Sequence, residues 1–315
     1  MSNPRLMLID GHALIYRAFY AFPTLTTKKG VMVNAVYGFM RILLTVIRDF
    51  NPEYLVVCFD MPKPTFRHTE FVGYKAQRKE MPEELKGQID LVKEVVGVLN
   101  IPQYGIEGYE ADDVIGTLAC KLTKDEEFQE NITDVLIVTG DRDAFQLVTD
   151  RVHVLFPAYG KRGEEEFDAE GVLRKMDVTP DQIVDFKALA GDASDNIPGV
   201  KGIGEKTAIR LIKEFGSVSG IYEAIKEKTD KVKNSQVLKG AVLKKIVEGY
   251  ESAMLSFRLA TIDQHVPLQL TLDDCRVAGY DKEKAIKMLE DYEFKTLIKL
   301  LPADDFEKGL ADALF

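Results

Sequence analysis

Three short apolar stretches of the sequence are each followed closely by an aspartate. The stretches are residues 5–9 before Asp10, residues 54–59 before Asp60, and residues 134–139 before Gly140 and Asp141. Short, continuous apolar runs are typical of strands buried in a parallel sheet, and stretches with helical spacing of apolar residues lie between them. The pattern predicts an α/β fold with a mainly parallel sheet and flanking helices. It also gathers the acids, because the carboxyl ends of parallel strands meet at one edge of the sheet.

A second acidic feature lies at Glu110, Asp112 and Asp113, just before an apolar helical run. Acidic residues are favoured in the first turn of a helix, where they complement the exposed N–H groups and the helix dipole, so capping explains the triplet without any chemistry. The alternative is a metal site, since neighbouring ionised carboxylates repel one another unless a cation lies among them. Taken alone, the triplet leaves both interpretations open.

The net charge of −10, from 51 acidic and 41 basic residues, at first argues against a nucleic-acid partner. If nine of the acids line one metal site, however, the remaining 42 acids nearly balance the 41 bases. Local basic patches can then decide what the surface binds.

No apolar run approaches the roughly 18 residues that a membrane span needs, and the N-terminus lacks the pattern of a signal peptide. We therefore expect no membrane partner and a cytoplasmic location. The three cysteines, Cys58, Cys120 and Cys275, are far apart in the sequence, and we expect them to be reduced core residues and not metal ligands.

Residues 62–82 interrupt the alternation of strands and helices. They are basic, interleaved with aromatic residues and bracketed by prolines, and they show no stripe that would face a core. Cations for phosphates and rings for bases would suit contact with a single nucleic-acid strand. A solvated surface excursion is the alternative, and composition alone favours it.

A glycine-rich segment at residues 199–204 separates two predicted helices. It is not a dinucleotide-binding fingerprint, and it is not a P-loop, because Glu205 stands where that motif has lysine. Lys201, Lys206 and Arg210 lie nearby, and N–H groups at the start of the next helix can meet a phosphate. The segment resembles a helix-hairpin-helix that grips a duplex backbone, with a plain helix connector as the alternative.

The acids suggest one shared site once they are taken together. The candidates are Asp10, Asp60, Glu110, Asp112, Asp113, Asp141, Asp143, Asp192 and Asp195. Ligation by oxygen alone indicates Mg²⁺ or Mn²⁺ and not zinc. Pairs of such ions serve in-line displacement at phosphodiesters, so the acids, the basic segment and the hairpin together predict a metal-dependent nuclease.

The chain also contains, in order, the motifs LIDGHALIYRAF, FDMPKPTFRH, YKAQR, GYEADDVIGTLA, TGDRD and GDASDNIPGVKGIGEKTA. Over roughly residues 5–300 this series resembles the 5′ nuclease (flap endonuclease) domain of bacterial DNA polymerase I. The resemblance implies a PIN-like nuclease core at residues 1–178 with a helical arch at about 62–82. It further implies an all-helical helix-hairpin-helix (H3TH-type) region at 179–301 and a linker-like tail at 302–315.

The resemblance assigns roles position by position. It implies a first metal cluster of Asp10, Asp60, Glu110, Asp112, Asp113 and Asp141, and a second of Asp143, Asp192 and Asp195. It implies that Lys75 and Arg78 steady the scissile phosphate, that the Tyr74 ring contacts a base, and that Arg17 and Arg67 face phosphates. In the hairpin it implies duplex contacts from Gly199, Lys201, Gly202, Gly204 and Lys206, and a monovalent ion such as K⁺ on backbone carbonyls.

The activity that the resemblance implies is hydrolysis of DNA at 5′ flaps and 5′ ends during primer removal and repair. It requires two or more Mg²⁺ ions, for which Mn²⁺ can substitute. The expected partner is duplex DNA with a 5′ single strand, and RNA-primer/DNA hybrids are a further one. A PIN-type ribonuclease and a non-catalytic DNA-structure-binding protein are the alternatives. The chain is either a freestanding nuclease or a domain joined to a polymerase.

Overall fold

The computed structural model describes residues 4–78, 80–157 and 164–303, except for the side chains of residues 122 and 123. Most of the tail expected to be linker-like, from residue 304 onward, therefore lies outside the described residues. No helix in the described part of the chain combines the length and apolar character needed to cross a membrane.

Six strands form one sheet. They are β1 (Arg5–Asp10), β2 (Tyr54–Cys58), β3 (Gln103–Tyr104), β4 (Asp134–Val138), β5 (Val152–Phe156) and β6 (Glu165–Phe167), in the order β3-β2-β1-β4-β5-β6. The first five pair in parallel, and β6 pairs antiparallel with β5 at the edge. The prediction of a mainly parallel sheet is confirmed, and β1 lies at its centre with Asp10 at its carboxyl end.

Helices cover both faces of the sheet. Those of the core are α1 (Gly11–Ala21), α2 (Asn34–Phe50), α3 (Phe66–Glu70), α4 (Glu83–Val98), α5 (Ala111–Lys124), α6 (Glu126–Asn131) and α7 (Ala169–Met176). Side chains alternate along a strand, so Leu6 and Leu8 of β1 pack with α5, while Met7 and Ile9 pack with α2 and α4. Each apolar strand is thus buried on both faces, which is why its sequence shows no polar alternation.

The rest of the described chain is helical. Its helices are α8 (Ile183–Ala190), α9 (Glu205–Phe215), α10 (Val218–Lys226), α11 (Asp230–Asn234), α12 (Gly240–Glu248), α13 (Tyr250–Ala260), α14 (Lys282–Asp291) and α15 (Lys295–Ile298). The glycine-rich segment connects α8 to α9, as a helix-hairpin-helix requires. The last two helices return to the core, where α14 packs against α4 and α15 against α2.

The basic segment at residues 62–82 is helical only in α3 among its described residues. Residues 72–77 form successive turns, and we call residues 71–78 the strap. The strap lies against the acidic edge of the sheet, where backbone N–H of Lys75 donates to the carbonyl of Asp195 (2.9 Å). Lys75 adopts a left-handed conformation (φ 53°) to make this turn. Among the described residues, the expected arch is therefore helical only in α3, and its later part lies against the sheet edge.

Candidate metal centre

Asp10 is both the last residue of β1 and the cap of α1. Its side chain accepts hydrogen bonds from the backbone N–H of Ala13 (2.9 Å) and from the Thr139 hydroxyl (2.8 Å), and it is buried. Burial, together with the nearby charge of Asp60, raises the pKa of Asp10 to about 7, although the hydrogen bond from the Ala13 N–H acts to lower it. The end of β1 therefore presents a carboxyl group that has no ion pair with any of the described residues.

Asp60 lies just after β2, and a hydrogen bond links its side chain to the start of α5. Its carboxylate accepts from the backbone N–H of Ala111 (2.8 Å), and its own N–H donates to Nδ1 of His12 (2.9 Å). Burial lowers the pKa of His12, which agrees with a neutral ring that accepts at Nδ1. Asp60 is thus fixed on one side and open to solvent on the other.

Three further acids lie at the acidic edge of the sheet. They are Asp112 in the first turn of α5, and Asp141 and Asp143 after the end of β4. Burial raises the pKa of Asp112 well above its ordinary value, and the charges of Asp10 and Asp141 add to this effect. Burial and Asp141 likewise raise the pKa of Asp143 to about 7. Because each acid perturbs the next, Asp10, Asp112, Asp141 and Asp143 form one electrostatic group, which we call the acid cluster.

Lys187 of α8 bridges two of the predicted ligands. Its ammonium group donates to Asp143 and to Asp192 (2.6 Å). Burial alone would raise the pKa of Asp192, but Lys187 and hydrogen bonds from Ser194 lower it to about 2. Lys187 was not among the site residues predicted from the sequence. The one sequence feature that could have indicated it is a single cation inside the largely apolar stretch IVDFKALA.

The strap supplies further cations to the acids. Lys75 Nζ donates to Glu110 (2.6 Å), and Arg78 donates to Asp195 (2.5 Å). Burial alone would lower the pKa of Lys75, but Glu110 and Asp195 raise it. These ion pairs hold the strap over the acidic edge, so the two predicted phosphate-steadying cations do lie at the site.

Tyr74 also belongs to this contact, but not in the predicted way. Its ring is buried, and its hydroxyl donates to Glu110 (3.0 Å) and Asp195 (3.2 Å). The prediction that this ring contacts a base is not met in this structure, because the ring packs against Ile197 and Leu259. Burying an aromatic ring together with a bonded hydroxyl is favourable, so Tyr74 anchors the strap.

Asp113 and Arg67 depart furthest from the predicted roles. Asp113 is fully buried and accepts two hydrogen bonds from the Arg67 guanidinium (2.8 and 2.7 Å). Arg67 also donates to the carbonyls of Leu259 (3.0 Å) and Thr261 (2.7 Å). The predictions that Asp113 is a metal ligand and that Arg67 contacts a phosphate are therefore corrected, because the two side chains bind each other. The two charges neutralise each other and join α3, α5 and the end of α13.

The ligand positions are not assembled around a single point. Among the described residues, no three carboxylate, imidazole or thiol groups surround a position that could hold a metal ion. Protein cations account for much of this, since Lys75, Arg78 and Lys187 already pair with acids. The remaining donors nevertheless suit a hard divalent cation, because Asp10 and Asp112 offer only oxygen ligands. Burial and neighbouring acids raise the pKa values of both groups, so a bound cation would stabilise their ionised forms.

A cleft of about 710 Å³ begins at the acid cluster. Its walls include Arg17, Asp141, Lys187 and Asp192, and it ends at Glu205 in the first turn of α9. Arg17 thus lines the cleft, and its contact with a phosphate stays a prediction. The cleft connects the acidic edge to the hairpin without interruption.

The hairpin depends on two glycines with positive φ, Gly199 (61°) and Gly202 (79°). A Cβ on Gly199 would lie 2.3 Å from the backbone nitrogen of Gly191, so no other residue fits. The carbonyl of Gly199 accepts from Ser252 (2.6 Å), and that of Gly202 accepts from the ammonium of Lys245 (2.9 Å). A protein cation thus already contacts one carbonyl of the loop.

Four of the predicted duplex contacts, Lys201, Gly202, Gly204 and Lys206, are exposed on the hairpin, whereas Gly199 is buried within the turn. Gly204 precedes α9, and Lys201 and Lys206 are both exposed. Backbone N–H groups at the start of α9 and the two ammonium groups therefore share one accessible surface.

Two family models match the chain. One, described as 5′-3′ exonuclease, N-terminal resolvase-like domain, matches residues 5–177, and the other, 5′-3′ exonuclease, C-terminal SAM fold, matches residues 178–283. Among relatives, DNA polymerase I of Bacillus caldotenax is 40% identical over 314 residues, covering 99% of this chain and 34% of that protein. DNA polymerase I of Chloroflexus aurantiacus is 43% identical over 311 residues, covering 96% and 31%. The chain thus spans about a third of the length of these relatives.

Solved structures share the fold at low identity. Zinc-bound 5′-exonuclease of bacteriophage T5 matches with a TM-score of 0.63 at 22% identity, covering 94% of this chain and 96% of that one. The catalytic core of Rad2 in complex with DNA matches with a TM-score of 0.56 at 19% identity, covering 95% and 93%. Both likenesses extend over the sheet and the helical region, so the expectation of a nuclease fold followed by a helical region is confirmed.

Proposed function

The chain belongs to the 5′-3′ exonuclease family, and from this membership and its acidic edge we propose that it is a divalent-metal-dependent, structure-specific 5′ nuclease acting on DNA. The observation that carries the proposal is the acid cluster at the carboxyl ends of β1 and β4. Its buried carboxyl groups have raised pKa values, which is the condition that a bound divalent cation would relieve.

The residues that would hold metal are Asp10, Asp60, Glu110, Asp112 and Asp141, with Asp195 beside Glu110. Asp143 and Asp192 complete the predicted set, but they share the Lys187 ammonium group as their partner. Asp113 is excluded from this set because Arg67 occupies both of its oxygens. The ions are proposed to be Mg²⁺, replaceable by Mn²⁺, because all the donors are oxygens. Two or more such ions, when bound, supply an activated water and neutralise charge on the phosphate.

The protein's own cations orient the substrate in this proposal. Lys75 and Arg78 pair with Glu110 and Asp195, so a phosphate bound at the acidic edge would replace these carboxylates as the partner of the two cations. Arg17 lines the same cleft and would contact the next phosphate. Positive donors held over a phosphodiester stabilise the charge that develops in the transition state.

The hairpin is proposed to bind the duplex beside the cut. Gly199 and Gly202 shape the loop, Gly204 opens the approach to α9, and Lys201 and Lys206 add charge-assisted contacts to phosphates. The loop carbonyls would also suit a monovalent ion such as K⁺, next to the contact that Lys245 already makes.

The proposed substrate is duplex DNA with a 5′ flap or 5′ end, and an RNA primer paired to DNA is a second one. The structures of bacteriophage T5 flap endonuclease with DNA and metal ions and of Rad2 with DNA substrate support a nucleic-acid partner for this fold. Because the relatives are DNA polymerases I, we further propose that the nuclease works beside a polymerase in primer removal and repair.

The test is cleavage of a 5′-labelled flap duplex with Mg²⁺ and with EDTA. Cleavage that requires the metal supports the proposal, while cleavage in EDTA, or none under either condition, contradicts it. A labelled single-stranded RNA in the same assay distinguishes the ribonuclease alternative.

A variant pair makes the test specific to the acid cluster. Asp112→Asn should reduce the single-turnover rate at least about 100-fold, because several kcal/mol of charge stabilisation depend on the ligands. Asp177→Asn is the matched control, since Asp177 is an exposed acid of the same cleft outside the cluster. Both variants should still bind the flap substrate, as measured by fluorescence polarisation. A non-catalytic binding protein would also bind it, but the wild type would then show no cleavage.

A further inference from the structure

The lysine between Asp143 and Asp192 is placed unlike the other cations of the site. Lys187 lies in the middle of α8, and its side chain is only 8% exposed. Its ammonium group contacts one oxygen of each acid. The two carboxylates are themselves largely buried, at 17% and 14% exposure. The three groups form a compact unit with a net charge of −1.

Helix α8 fixes the position of this ammonium group. The neighbouring residues Ala188 and Leu189 are fully buried, and α8 packs along α13 and α9. The carbonyl of Lys187 accepts from Gly191, which closes the last turn of the helix (2.8 Å). Withdrawing Lys187 from the acids would therefore mean displacing a core helix or burying an unpaired charge.

The strap cations contrast with this arrangement. Arg78 is 50% exposed, and it and Lys75 belong to a segment of turns. The site thus combines two cations on a segment of turns, beside Glu110 and Asp195, with one cation held by a core helix between Asp143 and Asp192.

A divalent ion placed between Asp143 and Asp192 would lie directly beside the Lys187 ammonium group. Like charges at such a separation in a partly buried site repel strongly. Lys187 and Ser194 already use both oxygens of Asp192, since Ser194 donates to Oδ1 through its N–H (2.8 Å) and its hydroxyl (2.5 Å). Asp192 is therefore satisfied without a metal, and Lys187 supplies the positive charge beside Asp143.

We propose that Lys187 is the permanent counter-ion of Asp143 and Asp192 and takes the place of a divalent ion between them. This inference deepens the proposed function and rests on it, since it concerns how many ions the same site binds. Asp143 and Asp192 then serve to position Lys187 at the wall of the cleft, and the divalent ions of the DNA-free protein bind at Asp10, Asp112 and Asp141.

The experiment counts Mn²⁺ ions bound to the metal-free, DNA-free protein by calorimetry and by electron paramagnetic resonance. Lys187→Met should bind one more equivalent of Mn²⁺ than the wild type, because it frees two carboxylates. Lys187→Arg should keep the wild-type number, since it restores the fixed charge. Adding Asp192→Asn to Lys187→Met should remove the gained ion.

If Lys187→Met does not fold, the proposal can still be tested by counting bound Mn²⁺ in a variant that retains Lys187. Asp192→Asn alone should leave the number of bound ions unchanged, and loss of an ion would overturn the proposal. Equal counts in the wild type and in folded Lys187→Met would also overturn it. Failure of the proposed function looks different, because it would appear as absence of metal-dependent flap cleavage whatever the ion count.

Discussion

Arg67 and Asp113 form a buried ion pair with two parallel hydrogen bonds. Replacing one partner of such a pair leaves the other charge buried and unpaired, which typically costs about 3–5 kcal/mol. We therefore expect Arg67→Met to lower the free energy of unfolding by about that amount, measured by urea denaturation. The two carbonyls to which Arg67 donates would lose their partners as well.

Arg174→Met is the control for this prediction. Arg174 pairs with Glu170 on an exposed helix face, where ion pairs contribute little, so its replacement should change the unfolding midpoint very little. If Arg67→Met folded as stably as the wild type but bound DNA weakly, Arg67 would instead be a phosphate contact, as the resemblance implied.

Two of the three cysteines should be chemically inert in the native protein. Burial raises the pKa of Cys275 to about 12 and that of Cys58 well above its ordinary value, so neither forms the reactive thiolate at pH 8. We expect at most one thiol, that of the half-buried Cys120, to react with a disulfide reagent before unfolding, and all three to react in guanidinium. Cys120→Ser should remove the native reaction, whereas two fast thiols would contradict the burial.

At the same scale, the sequence identified the acids better than their partners. Asp10 and Asp60 follow apolar runs, and a strand end is a position that local pattern reveals. The partners of the acids depend on contacts between residues far apart in the chain. Lys187 meets Asp143 across 44 positions and Arg67 meets Asp113 across 46, and no local pattern carries such information.

Among the secondary-structure elements, the hairpin turn offers the sharpest test of backbone conformation. Gly199→Ala would place a methyl group against the backbone of Gly191 in a left-handed conformation. We expect it to destabilise the protein by more than about 1 kcal/mol and to weaken duplex binding at least tenfold. Thermal denaturation and fluorescence polarisation with a blunt duplex measure the two effects.

Gly87→Ala is the matched control. Gly87 lies inside α4, where an added methyl group meets nothing within 4 Å, so this variant should be stabilised by about 0.5–1 kcal/mol and bind DNA normally. Normal duplex binding by Gly199→Ala would show that the turn does not form the duplex contact.

The elements themselves were predictable to different degrees. The strands β1, β2 and β4 are apolar runs that a buried sheet requires, and the sequence indicated all three. The two-residue strand β3 carries too few residues to show a pattern and was not predicted. The strap was ambiguous because its composition suits solvent as well as DNA, and only Tyr74 and Lys75 in contact with Glu110 show where it lies.

For the molecule as a whole, the acidic excess is partly concentrated at one edge of the sheet. The sequence carries a net charge of −10, and the acid cluster lies where β1 and β4 end. Asp113 leaves the predicted set of nine because it is neutralised by Arg67. The remaining acids still make the stability of the folded chain depend on cations from solution, which gives a prediction that involves the entire protein.

Without divalent ions, stability should fall as pH rises from about 4 to about 7. Asp10 and Asp143 have folded-state pKa values of about 7 against an ordinary value of 3.8, so the native state holds more protons than the unfolded state throughout this range. Above pH 7 both groups are ionised in either state, and the loss is complete. Thermal melts in EDTA across this range measure the slope, and Asp10→Asn should make it shallower.

Mg²⁺ should reverse the part of this loss that comes from Asp10, because a cation that binds only the native carboxylates stabilises the folded state by mass action. At 100 times its Kd the gain is about 2.7 kcal/mol, which corresponds to several degrees in Tm. The gain should be larger at pH 8 than at pH 5, since protons and Mg²⁺ compete for Asp10. A pH-independent shift, or an equal shift in Asp10→Asn, would mean that the ion binds away from the acid cluster.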